Sequence, residues 1–109
     1  RATGQLSPLA AAKAAGPSPY LQGSWEYKVV DGKTGYPVAA VIDLVYLEAR
    51  LVPVRKQLRT DREGFARGQG LPPGRYQLTL QAQGYHLVTE VRFLRPEAPD
   101  RATYRIQPT

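Results

Sequence analysis

A chain of 109 residues is the size of one domain, and 42% hydrophobic against 22% charged residues is the balance of a folded chain rather than a disordered one. With no Cys at all, disulfides, zinc–thiolate sites and Cys nucleophiles are excluded, and no apolar run reaches the length of a membrane-spanning helix. The formal net charge of +6 invites acidic partners, but the cations are scattered and carry no nucleic-acid motif, so no nucleic acid is expected as a partner.

Residues 1–19 (RATGQLSPLAAAKAAGPSP) are Ala, Pro, Ser and Gly with few large apolar groups, and read as a flexible linker. Arg1 is not an initiator Met and no charged-then-apolar leader follows it, so the chain reads as a processed form or a piece of a longer one. Met and Asn are missing and Arg outnumbers Lys 11 to 4, which fits a thermophilic or a high-GC source equally.

From Tyr20 the pattern is that of strands. Ser24 to Val30 alternates, with Trp25, Tyr27 and Val29 on one face and Glu26 and Lys28 on the other. A turn is expected over Asp31 to Gly35. Val38 to Leu47 is apolar on both faces, as a central strand is, with Asp43 on the more solvated side. Leu51 to Leu58 is strand-like, but Pro53 demotes it to an edge or a bulge. After a turn over Thr60 to Gly64, a short strand is expected from Phe65 to Gln69, and Leu71 to Gly74 turns the chain again. Arg75 to Gln83 alternates with Tyr76, Leu78, Leu80 and Ala82 inward. Leu87 to Phe93 is a strand, Arg95 to Arg101 a loop, and Thr103 to Gln107 the final strand.

Seven short strands with frequent turns and no helical period predict an all-β fold, a seven-stranded antiparallel β-sandwich. The expected core is Trp25, Tyr27, Val29, Ile42, Leu44, Phe65, Leu71, Tyr76, Leu78, Leu80, Val91 and Ile106. Edge strands at Leu51–Leu58 and Thr103–Gln107 would be open to strand addition by a partner.

The turns carry a further pattern. Thr34-Gly35-Tyr36-Pro37-Val38, then Thr60-Asp61-Arg62-Glu63-Gly64-Phe65, then Leu71-Pro72-Pro73-Gly74-Arg75-Tyr76-Gln77-Leu78, then Ala82-Gln83-Gly84-Tyr85 follow in order. Gly35, Gly64 and Gly84 suit turns needing positive φ, and Pro37 fixes φ where a strand begins. Thr60 and Asp61 suit side-chain bonding to turn amides, and Pro73-Gly74 reverses the chain. This succession resembles the carboxypeptidase regulatory-like domain, a transthyretin-like β-sandwich, over Tyr20 to Thr109. Together with Gln22-Gly23 and the Gly84-Tyr85-His86-Leu87 segment it is similar to a subgroup that precedes OmpA-like domains in envelope proteins of Bacteroidetes-type bacteria, some associated with type IX secretion. The resemblance implies a periplasmic, outer-membrane-associated or cell-surface location. It also implies a partner that is another envelope protein or a neighbouring domain. Other settings of such modules are the extension of TonB-dependent receptors and the accessory domain of metallocarboxypeptidases.

Catalytic chemistry finds little footing. His86 is the only His, the three Ser residues sit in no nucleophile-elbow motif, and neither a zinc motif nor a phosphate-binding loop occurs. Asp31, Asp61 and Glu63 lack the spacing of a calcium loop, and no cofactor is expected. Four Tyr residues, Tyr36, Tyr46, Tyr85 and Tyr104, are expected in the core or at its rim rather than as a carbohydrate platform. The densest cationic cluster, Arg50, Arg55, Lys56, Arg59 and Arg62, is the candidate binding patch. The expectation is therefore a non-catalytic spacer or protein-interaction module, with binding of an anionic polymer or glycan as the alternative.

Overall fold

The structure is a computed structural model that describes residues 22–48 and 53–109. The proposed linker over 1–19 lies outside the described residues. Among the described residues seven strands run in chain order: β1 (Gly23–Asp31), β2 (Val41–Tyr46), β3 (Arg55–Arg59), β4 (Phe65–Leu71), β5 (Gly74–Gln81), β6 (Val88–Leu94) and β7 (Asp100–Ile106). They form a three-stranded sheet, β4-β1-β7, and a four-stranded sheet, β3-β2-β5-β6. Inner side chains of both sheets interdigitate as the alternating sequence requires.

One pairing departs from the antiparallel expectation: β7 runs parallel to β1, from Trp25 opposite Asp100 to Asp31 opposite Ile106. The chain reaches β7 by crossing from the other sheet, so no hairpin constrains its direction. β7 also begins at Asp100, three residues before the expected start. Asp100, Ala102, Tyr104 and Ile106 face inward there, and the first of these is a carboxylate where an apolar residue is the usual strand signal.

The core is Trp25, Tyr27, Val29, Ile42, Leu44, Tyr76, Leu78, Leu80, Leu94 and Ile106, closed by Leu58, Ala66, Leu71 and Tyr104. Each large member, fully buried, contributes about 1.5–3 kcal/mol. Two expected core residues are not in it. Phe65 is only half-buried, because Tyr27 lies opposite Ala66 in β4 and the phenol ring leaves room for a methyl group there, not a second ring. Phe65 turns outward and lies under the Arg67 guanidinium, 3.9 Å from its centroid, with Lys28 5.1 Å away. Val91 is exposed, because β6 turns Val88, Glu90, Arg92 and Leu94 inward and Thr89, Val91 and Phe93 outward. The outer stripe of β6 is thus more apolar than its inner one, the reverse of the usual sandwich strand.

β2 is central in its sheet, between β3 and β5. It is shorter than the apolar run that contains it, since Val38 to Ala40 form an extended approach rather than a paired strand. Pro53 precedes β3, which is an edge, as are β4, β6 and β7.

Candidate functional site

The turn motifs can be followed atom by atom. Asp31 Oδ1 accepts from the amides of Lys33 (2.7 Å) and Thr34 (2.9 Å), and its other oxygen accepts from the Tyr85 hydroxyl (2.7 Å). Those three bonds, the Tyr85 hydroxyl foremost, hold the Asp31 carboxyl below the usual range. Thr34 Oγ1 accepts from the Tyr36 amide, Gly35 takes φ 79°, and Pro37 bridges Val30 of β1.

Thr60 ties the approach to β2 onto the end of β3. Its hydroxyl accepts from the Ala40 amide (2.8 Å) and donates to the Val38 carbonyl (2.9 Å). Asp61 Oδ1 accepts from the amides of Glu63 and Phe65, each at 2.9 Å. The Phe65 amide is the main cause of the lowered Asp61 carboxyl. Gly64 has φ 86°, and a Cβ there would stand 2.6 Å from the Val29 carbonyl of β1. The Gly64 carbonyl in turn accepts from the Val29 amide at 2.8 Å. Pro73 accepts from the Tyr46 hydroxyl at 2.8 Å, and Gly74 lies against that Tyr46 ring. Gly84 (φ 87°) accepts from the Thr109 amide at 2.9 Å, which holds Thr109 beside Tyr85.

The cationic cluster does not assemble into one patch. Arg50 lies outside the described residues. Arg55 and Arg59 share the outer face of β3, opposite Val45 and Val41, and Arg55 reaches Asp43 at 3.5 Å. Lys56 pairs with the buried Leu44 and therefore points to the other side of the sheet. Arg62 is exposed in the turn after β3. Arg59 borders an open depression of about 520 Å³ with Val41, Asp43, Gln57 and Gln81.

A second charged surface, the outer face of the three-stranded sheet, escaped the sequence reading. Glu26 sits on the middle strand and accepts from Arg67 of β4 (2.8 Å) and Arg101 of β7 (2.9 Å), one from each side. These bonds, that from Arg67 foremost, keep the Glu26 carboxyl below its ordinary value. Lys28, Phe65 and Thr103 continue this face around a depression of about 360 Å³. The signal was present as Glu26 and Lys28 alternating with aromatic residues, but the partners lie on strands 41 and 75 residues away.

Between the sheets runs a polar network. Asp100 takes both Nε (2.8 Å) and Nη2 (2.8 Å) of Arg92, and accepts from the Tyr27 hydroxyl (2.7 Å). Arg92 also reaches Glu90 at 3.2 Å, and Glu90 accepts from the Tyr104 hydroxyl. Burial first, then the bond to a carboxylate, drives both the Tyr27 and Tyr104 phenols well above their ordinary value. The Tyr104 ring meets the Tyr27 ring edge-on, 6.1 Å between centroids. Trp25, beside it in β1, packs its indole on Gly68, and its Nε1 is buried with no hydrogen-bond partner.

His86 is exposed at the approach to β6, where its amide donates to the Gln107 carbonyl at 2.9 Å. Among the described residues, no three of His, Asp and Glu come together in a way that would hold a metal ion. Nor is any helix among them long and apolar enough to cross a membrane.

No family model matches the chain, and no curated protein matches it by sequence. Solved structures share its fold. The minor pilin GBS52 of Streptococcus agalactiae superposes with a TM-score of 0.60 at 22% identity, over 81% of this chain and 45% of that one. The group B streptococcus pilus 2b backbone protein gives 0.58 at 17% identity, over 79% and 41%. A streptococcal ancillary pilin gives 0.55 at 20% identity, over 81% and 30%. The chain thus spans less than half the length of each. At these identities the likeness establishes the β-sandwich fold and nothing finer.

Proposed function

We propose that this chain is a non-catalytic β-sandwich module of a bacterial surface or envelope protein, acting as a spacer or as a protein-interaction domain. The observation that carries the reading is where the ionisable side chains are spent. Glu26 clamps two flanking strands, Asp100 and Glu90 join the two sheets through Arg92 and two phenols, and Asp31 and Asp61 cap turns. Charges used this way hold strands together rather than serve as the base and orienting group of a catalytic cleft. The pilins among the similar structures support a cell-surface setting. The ordered turn motifs support the carboxypeptidase regulatory-like reading, and with it the periplasmic, outer-membrane or secretion-associated settings.

The test is replacement inside the full-length protein. An unrelated sandwich of equal length in place of residues 20–109 should leave assembly intact if the module is a spacer, and abolish partner capture if it docks. Turnover of a peptide, ester or glycan by the purified chain would overturn both.

A second reading, binding of an anionic polymer or glycan, is favoured by Arg55 and Arg59 standing on one exposed face beside an open depression. It requires salt-sensitive affinity for an acidic polymer that falls when Arg55→Ala and Arg59→Ala are combined. Equal binding by the double variant would remove it.

A further inference from the structure

The four sheet edges among the described residues are not equally protected. β3 carries three cations in five residues with Pro53 ahead of it, β7 turns Arg101 and Arg105 outward, and β4 turns Arg67 outward and is broken by a register shift at Gly70. These are the devices by which natural sheets discourage strand addition. β6 lacks them on its outer face. Val91 is 58% exposed and Phe93 49%, and Leu87, just before the strand, is 62%. Val45 and Leu47 extend the apolar surface across the sheet, since Val45 and Val91 both flank Gln77, and the Leu47 amide bonds Arg75 beside Phe93.

The sequence of β6, Val-Thr-Glu-Val-Arg-Phe-Leu, is complementary to itself when reversed about Val91. Two copies laid antiparallel there would set Val91 against Val91, Glu90 against Arg92 twice, and Thr89 against Phe93. Moving the axis by one residue would set Glu90 on Glu90 or Arg92 on Arg92, so charge selects the central register. The same exercise on β3 sets Arg55 on Arg59, and on β7 Arg101 on Arg105, both repulsive.

We propose that β6 is a self-association edge, at which two copies of this chain pair antiparallel about Val91 and join their four-stranded sheets into one of eight. The outer stripes of Leu87, Val91 and Phe93 would then run side by side as one apolar seam, each shielding the other along the join, and the Glu90–Arg92 pairs would continue each interior network across the two-fold axis. This occupant is specified by the strand's own sequence and goes beyond the spacer or docking role.

The absence of Cys makes the test direct. Directly opposed residues of an antiparallel pair have Cα atoms about 4.5–5.5 Å apart, within disulfide reach. Val91→Cys should therefore convert mostly to a covalent dimer under mild oxidation, far faster than Tyr36→Cys, which is at least as exposed and lies in the turn after β1 rather than on β6. By sedimentation, the wild-type mass should rise with concentration from 12.1 kDa toward twice that value. Val91→Lys, an outward substitution, should keep the β-type circular dichroism spectrum and remain monomeric. A wild-type chain monomeric at every concentration, cross-linking at position 91 no faster than at 36, or a dimer indifferent to Val91→Lys would each overturn the proposal.

Discussion

The chain passes from the four-stranded to the three-stranded sheet twice, between β3 and β4 and between β6 and β7, and the two crossings are held by different physics. At the first, the contacts are made by backbone: Thr60 bridges two main-chain groups, Asp61 gathers amides, and Gly64 lies directly on β1. At the second, side chains do the work, with Arg92 on β6 held by Asp100 on β7 and Tyr27 completing the carboxylate's shell from β1. A crossing made of main-chain contacts tolerates no added atom. One made of charges tolerates shape changes but not the loss of a partner.

The sharpest way to break the first crossing is Gly64→Ala. The methyl group must enter a left-handed backbone at φ 86° and stand 2.6 Å from a carbonyl oxygen of β1. Strain of this kind costs about 2 kcal/mol or more, roughly a 10 °C fall in Tm by calorimetry for a domain this small. Gly35→Ala is the control, since it shares a positive φ of 79° and has nothing within 4 Å; a smaller loss isolates the close approach. Equal losses would mean that the contact with β1 does not matter.

At the second crossing, Asp100→Ala removes the acceptor of Arg92 and Tyr27 together. Both charged side chains are mostly covered, 15% and 23% exposed. Leaving Arg92 with Glu90 as its remaining carboxylate partner should cost about 2–3 kcal/mol, below the range for fully buried pairs because Glu90 and some water still reach it. Asp100→Asn, which still accepts from Tyr27, should lose less. The same crossing should fail in base. The Tyr27 and Tyr104 phenols have folded pKa values above their unfolded ones. Their stabilising contribution is complete below the ordinary phenol pKa of about 10 and is lost as pH rises beyond it, because the unfolded chain gives up those protons first. Absorbance at alkaline pH should show these phenols ionising only as the β signal collapses. Early ionisation of all seven Tyr, with the fold intact, would contradict the enclosed network.

A smaller effect belongs to Thr60. Thr60→Val keeps the shape and strands the Ala40 amide and the Val38 carbonyl, at a cost of about 1–2 kcal/mol. Thr60→Ser keeps the hydroxyl and should recover most of that loss. If Ser and Val behave alike, the clamp is packing and not hydrogen bonding.

The contrast between crossings also marks what could be read from sequence. The seven strands and two-layer fold followed from alternation in β1 and β5, where polar and apolar residues change places at every step. Thr60, Asp61 and Gly64 were legible as a turn because their partners are set by short spacing and by φ. The exception is the contact of Gly64 with Val29, which only the fold supplies. β6 was misread in phase, because its inner stripe is occupied by Glu90 and Arg92 and its outer one by Val91 and Phe93. The missed signal was parity: Glu90 and Arg92 stand in step with Val88 and Leu94, and a buried Asp100 and two phenols make that stripe tenable. The cationic cluster, dense along the chain, was divided by the two-residue period of the strand, which sends Lys56 away from Arg55 and Arg59. Nearness in sequence predicts a turn well and a patch on a strand badly.

The least effect expected is at Asp61, and it turns on sign. Its carboxyl is held below the ordinary Asp value chiefly by the Phe65 amide. The unfolded chain therefore takes up the proton at higher pH than the folded one, so the contribution of Asp61 is complete above about pH 4 and drains away as pH falls through the folded pKa. Glu26, Asp31 and Glu48 are lowered likewise and will make the wild-type chain acid-sensitive whatever Asp61 does. The informative quantity is the difference between wild type and Asp61→Asn, which keeps an Oδ1 acceptor but does not titrate. That difference in Tm should be small at neutral pH and close toward zero on acidification, as the wild-type carboxylate loses its charge-assisted bonds. If the gap stays constant with pH, the turn amides do not distinguish carboxylate from carboxamide. The first crossing would then owe its hold to the shape of the turn alone.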